Sequence, residues 1–164
     1  QQVSSAASDV YKRQLYDIDK ASLGYGYSLT SNSLQIARAY SVFANEGVMI
    51  EPRLLSDIKS ERVRVLSKST ASFILDSLRM TVLDGTASNL KNEKIEIAGK
   101  TGTSEKYIEG VGYASEKYIS SFASIFPYNN PKFIMIVSID EPDPNKYFGG
   151  DVSAPVVGLS LIHI

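Results

Sequence analysis

The chain contains no cysteine and a single histidine, His163, in its last two residues. Without cysteine there are no disulfides and no thiolate metal sites, and one terminal imidazole is a poor basis for a zinc centre or a Ser-His-Asp triad. No metal and no cofactor are expected. Charge of one sign is also lacking: 17 basic residues stand against 18 acidic ones, with no long run of either, for a net charge of -1. That balance offers no electrostatic footprint for nucleic acid, which is set aside as a partner. No apolar run approaches the roughly 20 residues that span a bilayer, and no secretory signal opens the chain. If the protein works outside the cytoplasm, its targeting segment lies outside this sequence. The 164 residues suit one domain, which at this size buries about two-thirds of its unfolded surface.

The most informative stretch is Ile95-Glu96-Ile97-Ala98-Gly99-Lys100-Thr101-Gly102-Thr103-Ser104. Its alternating apolar start predicts a strand, and the cation, hydroxyls and glycine at its far end suit polar chemistry. Gly99-Lys100-Thr101 matches the tail of a phosphate-cradling loop. That loop needs a further glycine where Lys94 stands, and a helix directly after Lys-Thr, which Gly102 discourages. The other match is the Lys-Thr-Gly triad that lines the active site of penicillin-recognising acyl transferases. Three residues alone also fit a surface strand ending in a turn.

The rest of the chain supplies a frame. Gln1 to Gln14 and Leu159 to Ile164 do not continue the neighbouring pattern and are expected to be non-native tails, leaving 15–158 as the domain segment. Gly24-Tyr25-Gly26-Tyr27 is a glycine-aromatic loop. Asn32 with Gln35 predicts a capping box, then a packing helix with Leu34, Ala37, Tyr40 and Ala44 on one stripe, stopped by Asn45-Glu46-Gly47. Val48 to Leu66 suggests a solvated connection with one hairpin. Ser69 or Thr70 can cap a second helix with Phe73, Ile74, Leu78 and Val82 inward, ending at Gly85. Ser104 to Lys117 is expected to be a polar loop, with Gly110 and Gly112 serving movement or simply turns. Tyr118 to Phe126 and Phe133 to Ile139, joined by Pro127-Tyr128-Asn129-Asn130-Pro131, predict an antiparallel hairpin. The second of these strands is apolar on both faces, so helices should cover the sheet on each side. Ser153-Ala154-Pro155 offers a cap and early proline for a final helix that the end of the chain cuts off.

Taken together, the chain resembles the C-terminal half of a class B penicillin-binding protein, the bacterial cell-wall D,D-transpeptidase, most closely the septal type. The resemblance rests on Gly26-Tyr27-Ser28 through Leu34-Gln35-Ile36-Ala37-Arg38-Ala39-Tyr40, Asn45-Glu46-Gly47, Gly85-Thr86-Ala87, Lys100-Thr101-Gly102-Thr103 and Lys146-Tyr147-Phe148-Gly149-Gly150-Asp151-Val152-Ser153-Ala154-Pro155. It covers nearly all of 23–157, departing at Asn32-Ser33, where the family has Thr-Pro. It implies an α+β fold, an antiparallel sheet with helices on both faces, here incomplete. It further implies peptidoglycan stem peptides ending in D-Ala-D-Ala as substrate, β-lactams as acylating ligands, and work at the extracytoplasmic face of the bacterial membrane. Division-complex membrane proteins are the implied partners of the full-length protein. In such a site Lys100 places a positive charge beside serine and substrate. The hydroxyls of Thr101 and Thr103 bind the substrate carboxylate, the Thr103 N–H is an oxyanion donor, and Gly102 allows close approach.

Two difficulties accompany the resemblance. Strict strand alternation puts Lys100 and the threonines on opposite faces, which only an edge strand or a local distortion can reconcile. The nucleophile is the other: the family's Ser-x-x-Lys and Ser-x-Asn should precede Leu23. Ser56-Asp57-Ile58-Lys59 and Ser88-Asn89-Leu90-Lys91 match by spacing, but neither opens an apolar helix. The segment alone is therefore expected to be inactive. The alternatives are a non-catalytic sensor or scaffold that recognises penicillin, and a β-lactamase or carboxypeptidase.

Overall fold

A computed structural model describes residues 21, 24, 30–55, 57, 59–108, 110 and 112–162. The expected tail 1–14, Tyr25 to Tyr27, Ser56, Ile58 and His163 lie outside the described residues. The chain divides into two compact units, Gln1–Ser31 and Asn32–Ile164, and every element that carries the site belongs to the second.

Helix α1 spans Ser33–Ala44 and starts as its sequence predicts. The Gln35 N–H donates to Asn32 Oδ1 and the Asn32 N–H to Gln35 Oε1, both at 2.9 Å, which satisfies two of the helix's free donors. Past the C-cap Asn45, Glu46 and Gly47 take positive φ (53° and 92°), and a Cβ on Gly47 would collide with the Leu66 carbonyl. The inward stripe differs from expectation: Leu34 is 62% exposed, because the helix meets the core only from Tyr40 onward. Strands β1 (Val48–Ile50) and β2 (Arg62–Arg64) then pair antiparallel as the anticipated hairpin.

Helix α2 spans Lys68–Leu83 and is capped by Ser67, ahead of the expected Ser69 or Thr70, because the Ser67 hydroxyl accepts from the Thr70 N–H at 3.1 Å. Its buried residues are Ala71, Leu78, Arg79 and Val82, while Phe73 is 72% exposed, against expectation. A 3₁₀ turn at Ser88–Leu90 seats the buried Leu90.

The main sheet is antiparallel, in the order β3 (Ala98–Ile108), β4 (Gly112–Phe126), β5 (Phe133–Asp140). Two expectations need correction here. Ile95 to Ile97 form no strand, because their backbone is occupied otherwise: Arg79 Nη1 donates to the Ile97 carbonyl at 2.9 Å, and the Tyr128 N–H to the Glu96 carbonyl at 2.7 Å. Conversely, Ser104 to Ile108 and Gly112 to Ala114 are ladder rather than loop, and Ser115 to Lys117, within β4, are the residues that the irregularity leaves without a ladder partner. Pairing of backbone groups continues through the polar residues, past an irregularity between Glu105 and Lys106, to a turn where Gly110 and Gly112 both have positive φ.

Helices cover both faces, as the α+β expectation requires. One face carries Phe122 and Phe126 of β4, packed with Val82, Leu90, Ile97, Ala154, Val157 and Leu161. The last three belong to helix α4 (Ala154–Leu161), which follows the short α3 (Gly149–Val152). Pro155 sits in the first turn of α4 as predicted, but Ser153 is no side-chain cap: its hydroxyl donates to the Ser120 carbonyl at 3.0 Å. The opposite face joins Ala98, Ile125 and Ile134 to Leu78, Ile74 and Leu75 of α2 and to Tyr40, Phe43 and Ala44 of α1. Fully burying Phe122 or Phe126 stabilises the fold by roughly 1.5–3 kcal/mol each.

Candidate active site

Lys100, Thr101, Gly102 and Thr103 lie in the middle of β3, on the edge of the sheet. They stand opposite Ala123, Phe122, Ser121 and Ser120 of β4. Side chains directly opposite one another share a face. Lys100 and Gly102 therefore start on the α1–α2 side, and Thr101 and Thr103 on the α3–α4 side. The edge resolves the conflict with alternation. With no strand beyond it among the described residues, the Lys100 side chain turns round β3, and its ammonium donates to the Thr101 carbonyl at 2.9 Å and reaches Thr101 Oγ1 at 3.4 Å. A cation that starts on one face thus ends beside a hydroxyl of the other.

The Thr101 carbonyl receives that ammonium because it points away from β4. In an antiparallel ladder a residue's N–H and C=O point the same way, and the direction alternates along the strand. Thr103 therefore presents its N–H on the same open edge.

Each threonine hydroxyl is held from the α3–α4 side by a different element. Thr101 Oγ1 is 2.7 Å from Thr86 Oγ1, and Thr103 Oγ1 accepts from the Gly149 N–H at 3.0 Å. A hydroxyl that accepts from an amide directs its own proton elsewhere, so Thr103 is poised to donate to an acceptor at the edge. Gly149 can come this close only without a side chain, since a Cβ there would run into the Gly102 and Ser121 carbonyls. On the other face a Cβ on Gly102 would lie 2.5 Å from Ser121 Oγ. The neighbours are fixed in turn: Asn89 Nδ2 donates to the Gly150 carbonyl at 2.7 Å, and the Ser120 hydroxyl to the Tyr147 carbonyl.

Thr86, Asn89 and Gly149 were absent from the sequence-predicted site. Thr86 and Gly149 sit within Gly85-Thr86-Ala87 and Phe148-Gly149-Gly150, blocks noted only as landmarks, and what they touch could not be read from order along the chain. Asn89 belongs to the spacing match Ser88-Asn89-Leu90-Lys91, whose first three residues form the 3₁₀ turn that holds Gly150. Cavities of about 330, 270 and 590 Å³ lie along α1, between α1 and α2, and along α2, and none of these three is lined by Lys100 to Thr103. The edge of β3 is an open shelf on which Lys100 is exposed and Thr101 to Thr103 are half-buried. Among the described residues no cluster of His, Cys, Asp or Glu could hold a metal, and no helix is long and apolar enough to cross a membrane.

The model of the penicillin binding protein transpeptidase domain matches residues 2–160. The chain is 31% identical to a peptidoglycan D,D-transpeptidase FtsI homolog of Mesostigma viride, over 93% of this chain and 30% of the relative. It is 36% identical to the probable peptidoglycan D,D-transpeptidase PbpC of Pseudomonas aeruginosa, over 85% of this chain and 25% of that protein. Among solved structures, the transpeptidase domain of Burkholderia pseudomallei penicillin-binding protein 3 superposes with a TM-score of 0.78 at 34% identity, covering 92% of this chain and 47% of that one. Penicillin-binding protein 3 of Mycobacterium tuberculosis complexed with aztreonam does so at 0.74 and 26%, covering 87% of this chain and 37% of that one. The chain spans between a quarter and a third of the length of these curated relatives.

Proposed function

Because the chain belongs to the penicillin-binding protein transpeptidase family, we propose that residues 15–158 form the C-terminal part of a peptidoglycan D,D-transpeptidase domain, with Lys100 to Thr103 as one wall of its cleft. The reaction is acyl transfer. A serine attacks the D-Ala-D-Ala bond of a stem peptide, the terminal alanine leaves, and an amine of a neighbouring strand resolves the acyl-enzyme. A β-lactam acylates the same serine. No Ser-x-x-Lys that opens an apolar helix is present in this segment, so the nucleophile and its lysine come from the remainder of the enzyme.

The segment's own contribution is electrostatic. Lys100 holds a fixed positive charge at the edge of β3, and Thr101 and Thr103 offer hydroxyl protons to the carboxylate of substrate or penicillin. The Thr103 N–H is directed at the oxyanion, and Gly102 removes bulk where substrate lies along the strand. The observation that carries the proposal is the path of the Lys100 side chain round the open edge, which brings the cation beside the Thr101 hydroxyl. The full-length enzyme works at the extracytoplasmic face of the bacterial membrane, in septal wall synthesis with division-complex membrane proteins.

The test is Thr103→Val in the full-length enzyme, which keeps the shape and removes one hydroxyl. Acylation by a fluorescent penicillin is expected to slow by about ten- to a thousandfold, as for one lost transition-state hydrogen bond. An unchanged rate would make Thr103 a structural residue.

A further inference from the structure

Thr86 is an exposed residue in the turn after α2, 15 positions before Thr101, and its hydroxyl lies 2.7 Å from Thr101 Oγ1. The turn is not there by accident of a loose loop. A Cβ on Gly150 would run into the Thr86 carbonyl, and Asn89, two residues beyond Ala87, donates from its side chain to the Gly150 carbonyl at 2.7 Å. The 85–90 turn and the start of α3 are therefore interlocked by one close backbone approach and one side-chain hydrogen bond, and Gly149, beside Gly150, is the residue that donates to Thr103. One interlock presents a partner to both hydroxyls of the shelf.

Donor counting fixes the direction of one bond, from Lys100, and leaves the Thr86–Thr101 pair able to run either way. An ammonium only donates, so Thr101 Oγ1 accepts from Lys100 Nζ at 3.4 Å. A threonine oxygen has two lone pairs and one proton. With one lone pair facing Lys100, the second is open to a donor, and the Thr86 hydroxyl is in place to fill it. Thr101 then has its proton left for an acceptor at the edge, as Thr103 has when the Gly149 N–H occupies its oxygen. Either hydroxyl can be the donor at 2.7 Å, so without an acceptor there Thr101 is free to give its proton to Thr86 instead.

We propose that Thr86 is a positioning residue of the acylation site, whose hydroxyl switches from accepting to donating when an anionic ligand arrives and so turns the Thr101 proton onto the ligand carboxylate. The inference rests on the functional role proposed above for the Lys100 edge. The contact of Thr86 in the site is the Thr101 hydroxyl, and Thr86 acts through that residue.

The experiment compares Thr86→Val, Thr86→Ser, Thr101→Val, the Thr86→Val/Thr101→Val pair and Thr103→Val in the full-length enzyme. It reads the second-order rate of acylation by a fluorescent penicillin alongside the melting temperature. Thr86→Val is expected to lower the rate about three- to tenfold, the scale of one neutral hydrogen bond, with the melting temperature unchanged. Thr86→Ser should keep the parental rate, and adding Thr86→Val to Thr101→Val should cost nothing further, since the hydroxyl it would orient is gone. A parental rate in Thr86→Val while Thr101→Val and Thr103→Val are slow overturns the role of Thr86 and leaves the site intact. Equal loss in Thr86→Ser and Thr86→Val, or losses that add fully in the pair, overturns it as well. Parental rates in both Thr101→Val and Thr103→Val overturn the functional role of the shelf and this inference together.

Discussion

The β3–β4 ribbon has two halves that meet at the irregularity between Glu105 and Lys106. The inner half, Ala98 to Glu105 against Tyr118 to Ile125, is anchored at Ala98, Phe122 and Ile125, all fully buried, and helices press on both faces. The outer half, Lys106 to Ile108 against Gly112 to Ala114, holds no fully buried residue: Tyr107 is 64% and Tyr113 49% exposed, their rings meeting edge to face. What fastens it is charge. Lys106 Nζ donates to Asp140 at 2.7 Å and Glu141 at 2.9 Å, and Lys117 also reaches Glu141. The site lies entirely in the inner half. One continuous ribbon thus has a base whose geometry is fixed by packing and a tip whose geometry is held by exposed ion pairs, which are individually weak and screened by salt.

The sharpest way to break this contrast is to remove the packing. Phe122 stands opposite Thr101 and is fully buried, so Phe122→Ala should lower stability by about 3–5 kcal/mol, measured by denaturant unfolding of the transpeptidase domain, and take the site with it. A loss within error of zero would mean that the base is not held by this core. A smaller effect is expected from adding a methyl group to the strand. A Cβ at Gly99 would lie 2.6 Å from the Ala123 carbonyl and 2.7 Å from the Phe122 ring, so Gly99→Ala should cost about 1–3 kcal/mol through overpacking. If Gly99→Ala melts with the parent protein, β3 and β4 are less tightly apposed than the structure has them.

The smallest effect belongs to the tip. Hydrogen bonding to Lys106, then to Lys117, holds the Glu141 carboxyl below its ordinary 4.5. A depressed carboxylate contributes fully above its ordinary value, and the contribution disappears as pH falls through the lowered one. Bonding to Asp140, then to Glu141, raises Lys106 above 10.5, so its share is complete below 10.5 and is lost only as pH rises past its raised value. Between these limits the latch is closed. Lys106→Met should therefore lower the protection of the amides in 106–108 and 112–114, compared at one pH, while leaving that of 98–105 and the melting temperature unchanged; in the parent protein the same local loss of protection, relative to intrinsic exchange, is expected as pH falls through the carboxylate range. Equal acceleration in both halves would show that the ribbon opens as one unit.

Much of this was legible before any coordinates. The capping box at Asn32 and Gln35, the glycine stop at Gly47, the 118–126 and 133–139 hairpin and the helices on both faces all follow from local rules that act over a few residues. The errors share a cause. Ile95 to Ile97 read as strand because they alternate, yet Arg79 and Tyr128, neither near them in sequence, take their carbonyls. Ser104 to Lys117 read as loop because they are polar, yet a ladder is made of backbone groups that polarity does not reveal. Phe73 read as core because its spacing suits a stripe, and spacing says which residues share a side, not which side is buried.

By itself the sequence determined which chemistry was available: a lysine, two threonines and a glycine on one extended segment, with no thiol or central imidazole to compete. It also determined the order of motifs that carries the family resemblance. Only the tertiary structure decided that β3 is an edge strand, and that single fact let Lys100 turn round to Thr101 against the alternation that a sequence must assume. It likewise decided that Thr86 and Gly149, 15 and 46 residues from the hydroxyls they hold, arrive at the same shelf. The reason is physical: local propensity acts through neighbours in the chain, whereas the direction of a hydroxyl proton depends on whichever donors the packed elements bring within 3 Å of it.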